Sequence, residues 1–165
     1  MSMKVNTFED LFVHSLKDLY SAEKQLAESL PKMAKAAVSD ELRRAFKDHL
    51  GQTQNQISRI ESIFADRQKS PRGEKCVGME GLIEEGQKVI ESEMEGAVRD
   101  AALIAAAQRV EHYEIAGYGT ARAFAEILGE ENAYSLLSQS LEEESQTNEN
   151  LTSLAKNMIN IEALS

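Results

Sequence analysis

Four stretches of this chain repeat apolar residues at intervals of three and four, and glutamate interrupts the stripes so formed. Glu23, Glu111, Glu114 and Glu144 each fall where the helical period asks for an apolar side chain. An ionised carboxylate on the core face of a helix costs several kcal/mol unless something pairs with it. Four of them on three helices constrain the fold strongly. The helices must gather around a shared polar pocket, and a metal pair held inside a helical bundle meets that demand.

The remaining composition agrees with long helices. Among 165 residues there are two prolines, Pro31 and Pro71, and no tryptophan. So few breakers favour an all-α fold over a β-rich one. The length suits a single domain, residues 1–165, with a core of its own. The formal net charge is −10 and no basic stripe occurs, which argues against a nucleic-acid partner. No apolar run approaches the length that spans a bilayer, so no membrane partner is expected. The N-terminal segment MSMKVNTFEDLF lacks the apolar core of a signal peptide. Cys76 is the only cysteine, which rules out an intramolecular disulfide and suits a reducing cytoplasm. It is expected to be a small buried side chain.

The periodicity predicts helices over about 7–37, 40–66, 97–128 and 131–157, joined in the middle by a crossover over 67–96. Thr7 and Ser39 are predicted N-caps, and Gly129 ends the third long helix. Pro31 should bend or break the first helix. The inward stripes read Leu11, Phe12, Leu16, Leu19, Glu23, Leu26, Leu30 and Met33, then Leu42, Phe46, His49, Thr53, Gln56, Ile60 and Phe64. The third is Leu103, Ala107, Val110, Glu111, Glu114, Tyr118, Ala121 and Phe124. The fourth is Ala133, Leu137, Leu141, Glu144, Asn148, Leu151 and Ala155. The crossover is far longer than a hairpin needs, and Met79 to Ser92 within it reads as a short amphipathic helix. A shift of 91 residues superposes Glu23 on Glu114 and Thr53 on Glu144, a weak internal repeat of two hairpins.

In an antiparallel hairpin, residues equidistant from the turn share a level. That rule sets Glu23 opposite the stretch from Gln52 to Gln56, and Glu111 and Glu114 opposite Glu144 and Asn148. At about 1.5 Å per residue, a two-residue error moves a level by only ~3 Å. Glu111 and Glu114, three apart, share a face and would repel each other without a cation. Oxygen ligands with an imidazole suit iron or manganese, and magnesium or calcium less specifically. His49 is placed to supply the nitrogen. His112 points off the stripe, and Tyr20, Tyr113 and Tyr118 read as packing residues whose hydroxyls find partners.

The strings DLYSAEKQL, CVGMEGLIEEG, DAALIAAAQRVEHYEIAGYGT and LEEE resemble the YciE/YciF family of ferritin-like proteins over nearly the whole chain. The resemblance implies a ferritin-like four-helix bundle, a di-iron centre, a bacterial stress role and a homodimer. Ferritin-like sites take one Glu from each of two helices and Glu-x-x-His from each of the others. On that pattern Glu23 is the first-helix ligand, Glu111 and Glu114 form a Glu-x-x-Glu variant, and Glu144 is the fourth-helix glutamate. Thr147 replaces its histidine. Gln52 stands at the expected second-helix glutamate, with Asn55 at the histidine position. The candidate metal residues are therefore Glu23, His49, Gln52, Glu111, Glu114 and Glu144. The resemblance brings no defined reaction; if the site is catalytic, its chemistry would be iron oxidation or peroxide reduction. Tyr20 or Tyr118 would serve as a nearby partner of the site. The rival reading is a non-enzymatic dimeric bundle with a degenerate site, its glutamates paired with bases such as Lys47 or Arg109.

Overall fold

The computed structural model describes residues 4–165; residues 1–3, part of the segment read against a signal peptide, lie outside the described residues. The order is α1 (Phe8–Ala36), α2 (Asp40–Asp66), α3 (Val77–Glu91), α4 (Gly96–Ile127), α5 (Glu131–Leu154), a π-helical turn (Ala155–Ile159) and α6 (Asn160–Leu164). No strand occurs among the described residues. Helices α1 and α2 form one hairpin and α4 and α5 another; α1 also packs on α4, and α2 on α5, closing a four-helix bundle. The crossover helix α3 lies against α4 and α1. Among the described residues, no helix is long and apolar enough to cross a membrane.

Local chemistry sets the helix ends. Thr7 Oγ1 accepts from the Asp10 amide at 3.0 Å while Asp10 Oδ2 accepts from the Thr7 amide at 3.0 Å, a complete capping box. Ser39 caps α2 through the Leu42 amide at 3.3 Å. Gly129 has φ +69, the left-handed backbone that lets the Glu130 amide reach back to the Ala125 carbonyl at 2.9 Å. Pro31 does not break the helix: α1 continues through it from Phe8 to Ala36. Pro31 is exposed, so water can reach the carbonyl that loses its helical partner.

The core divides into two apolar clusters. One contains Leu26, Leu30, Met33, Leu42, Phe46, Leu103 and Leu151. The other contains Phe12, Leu16, Leu19, Ile60, Phe64, Ala121 and Leu137. Each fully buried Leu or Phe contributes about 1.5–3 kcal/mol, so these clusters can carry a polar layer between them. Several stripe positions shift. Leu11 is exposed, Phe124, Leu141 and Asn148 are half-buried, and Ala125, Ser140 and Thr147 are buried instead. A shift of one position rotates the side chain by about 100°, enough to exchange neighbours between the core and its edge.

Two tertiary anchors were not legible in the sequence. The Asp100 carboxylate, 1% exposed, accepts from the amides of Val38 at 2.8 Å and Ser39 at 2.7 Å. It ties the α1–α2 turn to the start of α4 and so fixes the relative level of the two hairpins. Cys76, buried as expected, caps α3; its amide donates to Ser21 Oγ at 2.8 Å and its carbonyl accepts from Gln25 at 3.0 Å, pinning the crossover to α1.

Candidate metal centre

The layer between the two apolar clusters holds the glutamates. Glu23 and Glu144 are 0% exposed, Glu114 is 0% and Glu111 is 1%. Helix α2 contributes His49, 3% exposed, one step along the stripe from Phe46. One ligand atom from each of His49, Glu111, Glu114 and Glu144 lies within 4.8 Å of all the others. His49 Nε2 is 2.9 Å from Glu111 Oε1 and 4.0 Å from Glu144 Oε2. The shorter contact lacks the direction of a hydrogen bond, and Nε2 has no hydrogen-bond partner. Both oxygens of Glu114, both of Glu144, and Glu111 Oε2 are likewise buried and unpartnered.

Glu23 stands beside this group and is not one of its four members. Its Oε1 accepts from the Tyr118 hydroxyl at 2.5 Å, and its Oε2 is unpartnered. The charge of the nearby Glu144 also acts on its carboxyl. Tyr118 is thus the tyrosine that reaches the site. Tyr20 turns away to Glu61 at 2.9 Å, and Tyr113 donates to Asp18 at 2.9 Å.

Burial dominates the electrostatics. It pushes the Glu23 carboxyl up to about 8, helped by the charge of Glu144 and opposed by the Tyr118 hydrogen bond. It pushes Glu111 up to about 7, and Glu114 and Glu144 well above the usual carboxylate range. Four ionised carboxylates here would each carry a desolvation penalty of several kcal/mol. Their sum would rival a domain's whole net stability of about 5–15 kcal/mol. The pocket must therefore hold protons or cations. Inward-aimed oxygens without protein partners, next to an imidazole nitrogen, form a donor set that divalent iron or manganese fits.

Helix α2 differs from the expectation drawn from the family pattern. Gln52 is only half-buried and Asn55 is exposed. The fully buried polar positions of α2 are instead Thr53 and Gln56, each 0% exposed, both on the inward stripe read from its period. Thr53 Oγ1 and Gln56 Oε1 are unpartnered, while Gln56 Nε2 donates to Glu143 at 3.0 Å. Gln52 Oε1 instead accepts from Thr147 Oγ1 at 3.0 Å and lies 3.5 Å from His49 Nδ1.

The acidic run on α5 divides three ways. Glu142 is exposed, Glu143 is clamped by Arg59 at 2.8 and 2.7 Å, and Glu144 enters the pocket. The bases offered as alternative partners do not reach the site: Arg109 pairs with Glu85 at 3.3 Å and Lys47 is exposed. His112 is also exposed, bonded to the Gln108 carbonyl at 2.8 Å.

The family model described as a domain of unknown function, DUF892, matches residues 7–164. The chain is 51% identical to protein YciF of Escherichia coli over 162 residues, covering 98% of each. The crystal structure of the E. coli stress protein YciF superposes with a TM-score of 0.91 at 52% identity, over 94% of this chain and 99% of that one. YcfI of Rhodopseudomonas palustris gives a TM-score of 0.88 at 40% identity, over 93% and 98%. A Xanthomonas campestris protein, 19% identical, shares the fold with a TM-score of 0.74 over 93% and 94%.

Proposed function

This chain belongs to the DUF892 family with the YciF proteins, and from that premise we propose that it is a bacterial stress-associated, ferritin-like protein that binds a pair of divalent transition-metal ions, iron foremost. One observation carries the reading: His49, Glu111, Glu114 and Glu144 bring ligand atoms within 4.8 Å of one another in a buried pocket whose carboxylate oxygens lack partners. Glu23 supplies a further carboxylate on the α1 side. Together the glutamates provide about four negative charges, the complement of two divalent ions. Bound there, iron would supply redox chemistry toward oxygen or peroxide. The chain's own residues would hold the ions and exclude bulk water with the two apolar clusters. Tyr118 would keep one Glu23 oxygen fixed and the other free.

The proposal extends to a cytoplasmic homodimer. Phe8, Leu11 and Ile127 are 41%, 37% and 77% exposed, and Phe8 stacks edge-on with Phe124, so apolar surface collects where α1 begins and α4 ends. Sedimentation velocity of the wild type tests that part.

Elemental analysis of protein purified without chelator tests the main reading. About two equivalents of iron or manganese per chain are expected. Reproducibly metal-free protein of undiminished thermal stability would support the second reading, a bundle whose site has decayed. Thr53 and Gln56 favour that second reading, because α2 buries these neutral side chains and, His49 apart, no ionisable one.

A further inference from the structure

Gln52 was expected to be a ligand, yet its geometry suits a different task. An amide oxygen has two lone pairs. Here Thr147 Oγ1 donates to Gln52 Oε1 at 3.0 Å, and His49 Nδ1 lies 3.5 Å from the same atom. Both lone pairs are therefore directed at protein groups and none is left for a cation. The opposite edge of the His49 ring presents Nε2 to Glu111 Oε1 at 2.9 Å and to Glu144 Oε2 at 4.0 Å.

We infer that Gln52, held by Thr147, is a positioning residue that fixes the proton of His49 on Nδ1 and leaves the Nε2 lone pair aimed into the carboxylate pocket. The inference rests on the metal-binding reading above. A metal-ligating imidazole commonly donates its other N–H to an acceptor, which sets ring orientation and tautomer. The Thr147 hydroxyl donates to Oε1, the end of the Gln52 amide nearest the ring, and Oε1 can then only accept from Nδ1–H. The reversed amide would donate to Nδ1 and drive the ring proton onto Nε2, blocking the nitrogen that faces the carboxylates. Because Gln52 is a neutral acceptor, it orients His49 without the added basicity that a carboxylate partner would give the ring.

The test begins with metal-free protein carrying 15N-labelled histidine, so its outcome does not depend on the metal reading. His14 and His112 are exposed and His49 is buried, and a His14→Asn, His112→Asn background isolates its signals. In the neutral ring, the expected pattern is a protonated Nδ1 and an unprotonated Nε2. Gln52→Leu and Thr147→Val should each turn that single tautomer into a mixture. The reverse pattern in the wild type, or an unchanged one in both variants, overturns the inference.

A second readout is Zn2+ affinity by competition with a chromogenic chelator. Gln52→Leu should weaken binding by about 10–100-fold, the usual effect of losing such a partner, and Gln52→Glu should strengthen it. Equal affinity in all three proteins overturns the orienting role. Failure of the wild type to bind Zn2+ at all would instead count against the metal-binding reading.

Discussion

The Tyr118 hydroxyl donates to Glu23 Oε1 at 2.5 Å, joining two fully buried side chains 95 positions apart in sequence. The bond links α4 to α1 across the pocket and opposes the effect of burial on the Glu23 carboxyl. Tyr118→Phe removes the donor and leaves a buried oxygen without a partner. Metal-free protein should lose about 1–3 kcal/mol of unfolding free energy. Metal uptake should also move to higher pH, because protons then compete better for Glu23. Urea denaturation in chelator and pH-dependent loading measure the two effects, and wild-type values in both would remove Tyr118 from the site.

Stability of the metal-free protein should fall as pH rises. The folded-state values of Glu23, about 8, and Glu111, about 7, lie above the ordinary carboxylate value of about 4.3 that holds in the unfolded chain. The folded state therefore binds protons more tightly. The resulting stabilisation is full below the unfolded value and is lost as pH climbs through the folded values. The fall should be on the order of a few kcal/mol between about pH 5 and pH 8. Saturating Mn2+ should abolish it, because the cation replaces the protons. Stability in chelator that is flat or rising over this range would contradict the assignment.

Glu114→Ala should abolish metal retention. Both Glu114 oxygens are buried and unpartnered, so removing them deprives the pocket of one of its two wholly uncommitted carboxylates. With one fewer carboxylate to protonate, the metal-free variant should also show a shallower pH dependence than the wild type. Unchanged metal content after gel filtration would refute the role of Glu114.

Two glycines on different helices make opposite predictions. A Cβ on Gly117 would lie 2.7 Å from Leu19 Cδ2, and Leu19 is 1% exposed. Gly117→Ala should therefore cost about 1–3 kcal/mol through overpacking, more than the roughly 1 kcal/mol gained in helix preference. A Cβ on Gly51 would meet nothing within 4 Å, so Gly51→Ala should stabilise by about 0.5–1 kcal/mol. Thermal unfolding of both variants checks the pair. Stabilisation by Gly117→Ala would show that the α1–α4 contact is looser than described, and destabilisation by Gly51→Ala would contradict the open space around Gly51.

The sequence by itself determined the local architecture and the inventory of the pocket. Intervals of three and four placed Glu23, Glu111, Glu114, Glu144 and His49 on buried faces, because helical geometry alone decides which residues share a side. Side chains that satisfy nearby amides, Thr7 and Ser39, marked the starts of α1 and α2. The period of α2 put Thr53 and Gln56 on the inward side, and both are fully buried, whereas Gln52 and Asn55, the positions taken from family resemblance, are half-buried and exposed. Only the tertiary structure decided how the helices stand against one another. Asp100 sets the level of the two hairpins, Tyr118 finds Glu23, and Thr147 meets Gln52 beside His49. Those choices depend on rotations and shifts between helices far apart in the chain. A repeating pattern within one helix carries no information about them, since it is unchanged when the neighbouring helix turns or slides.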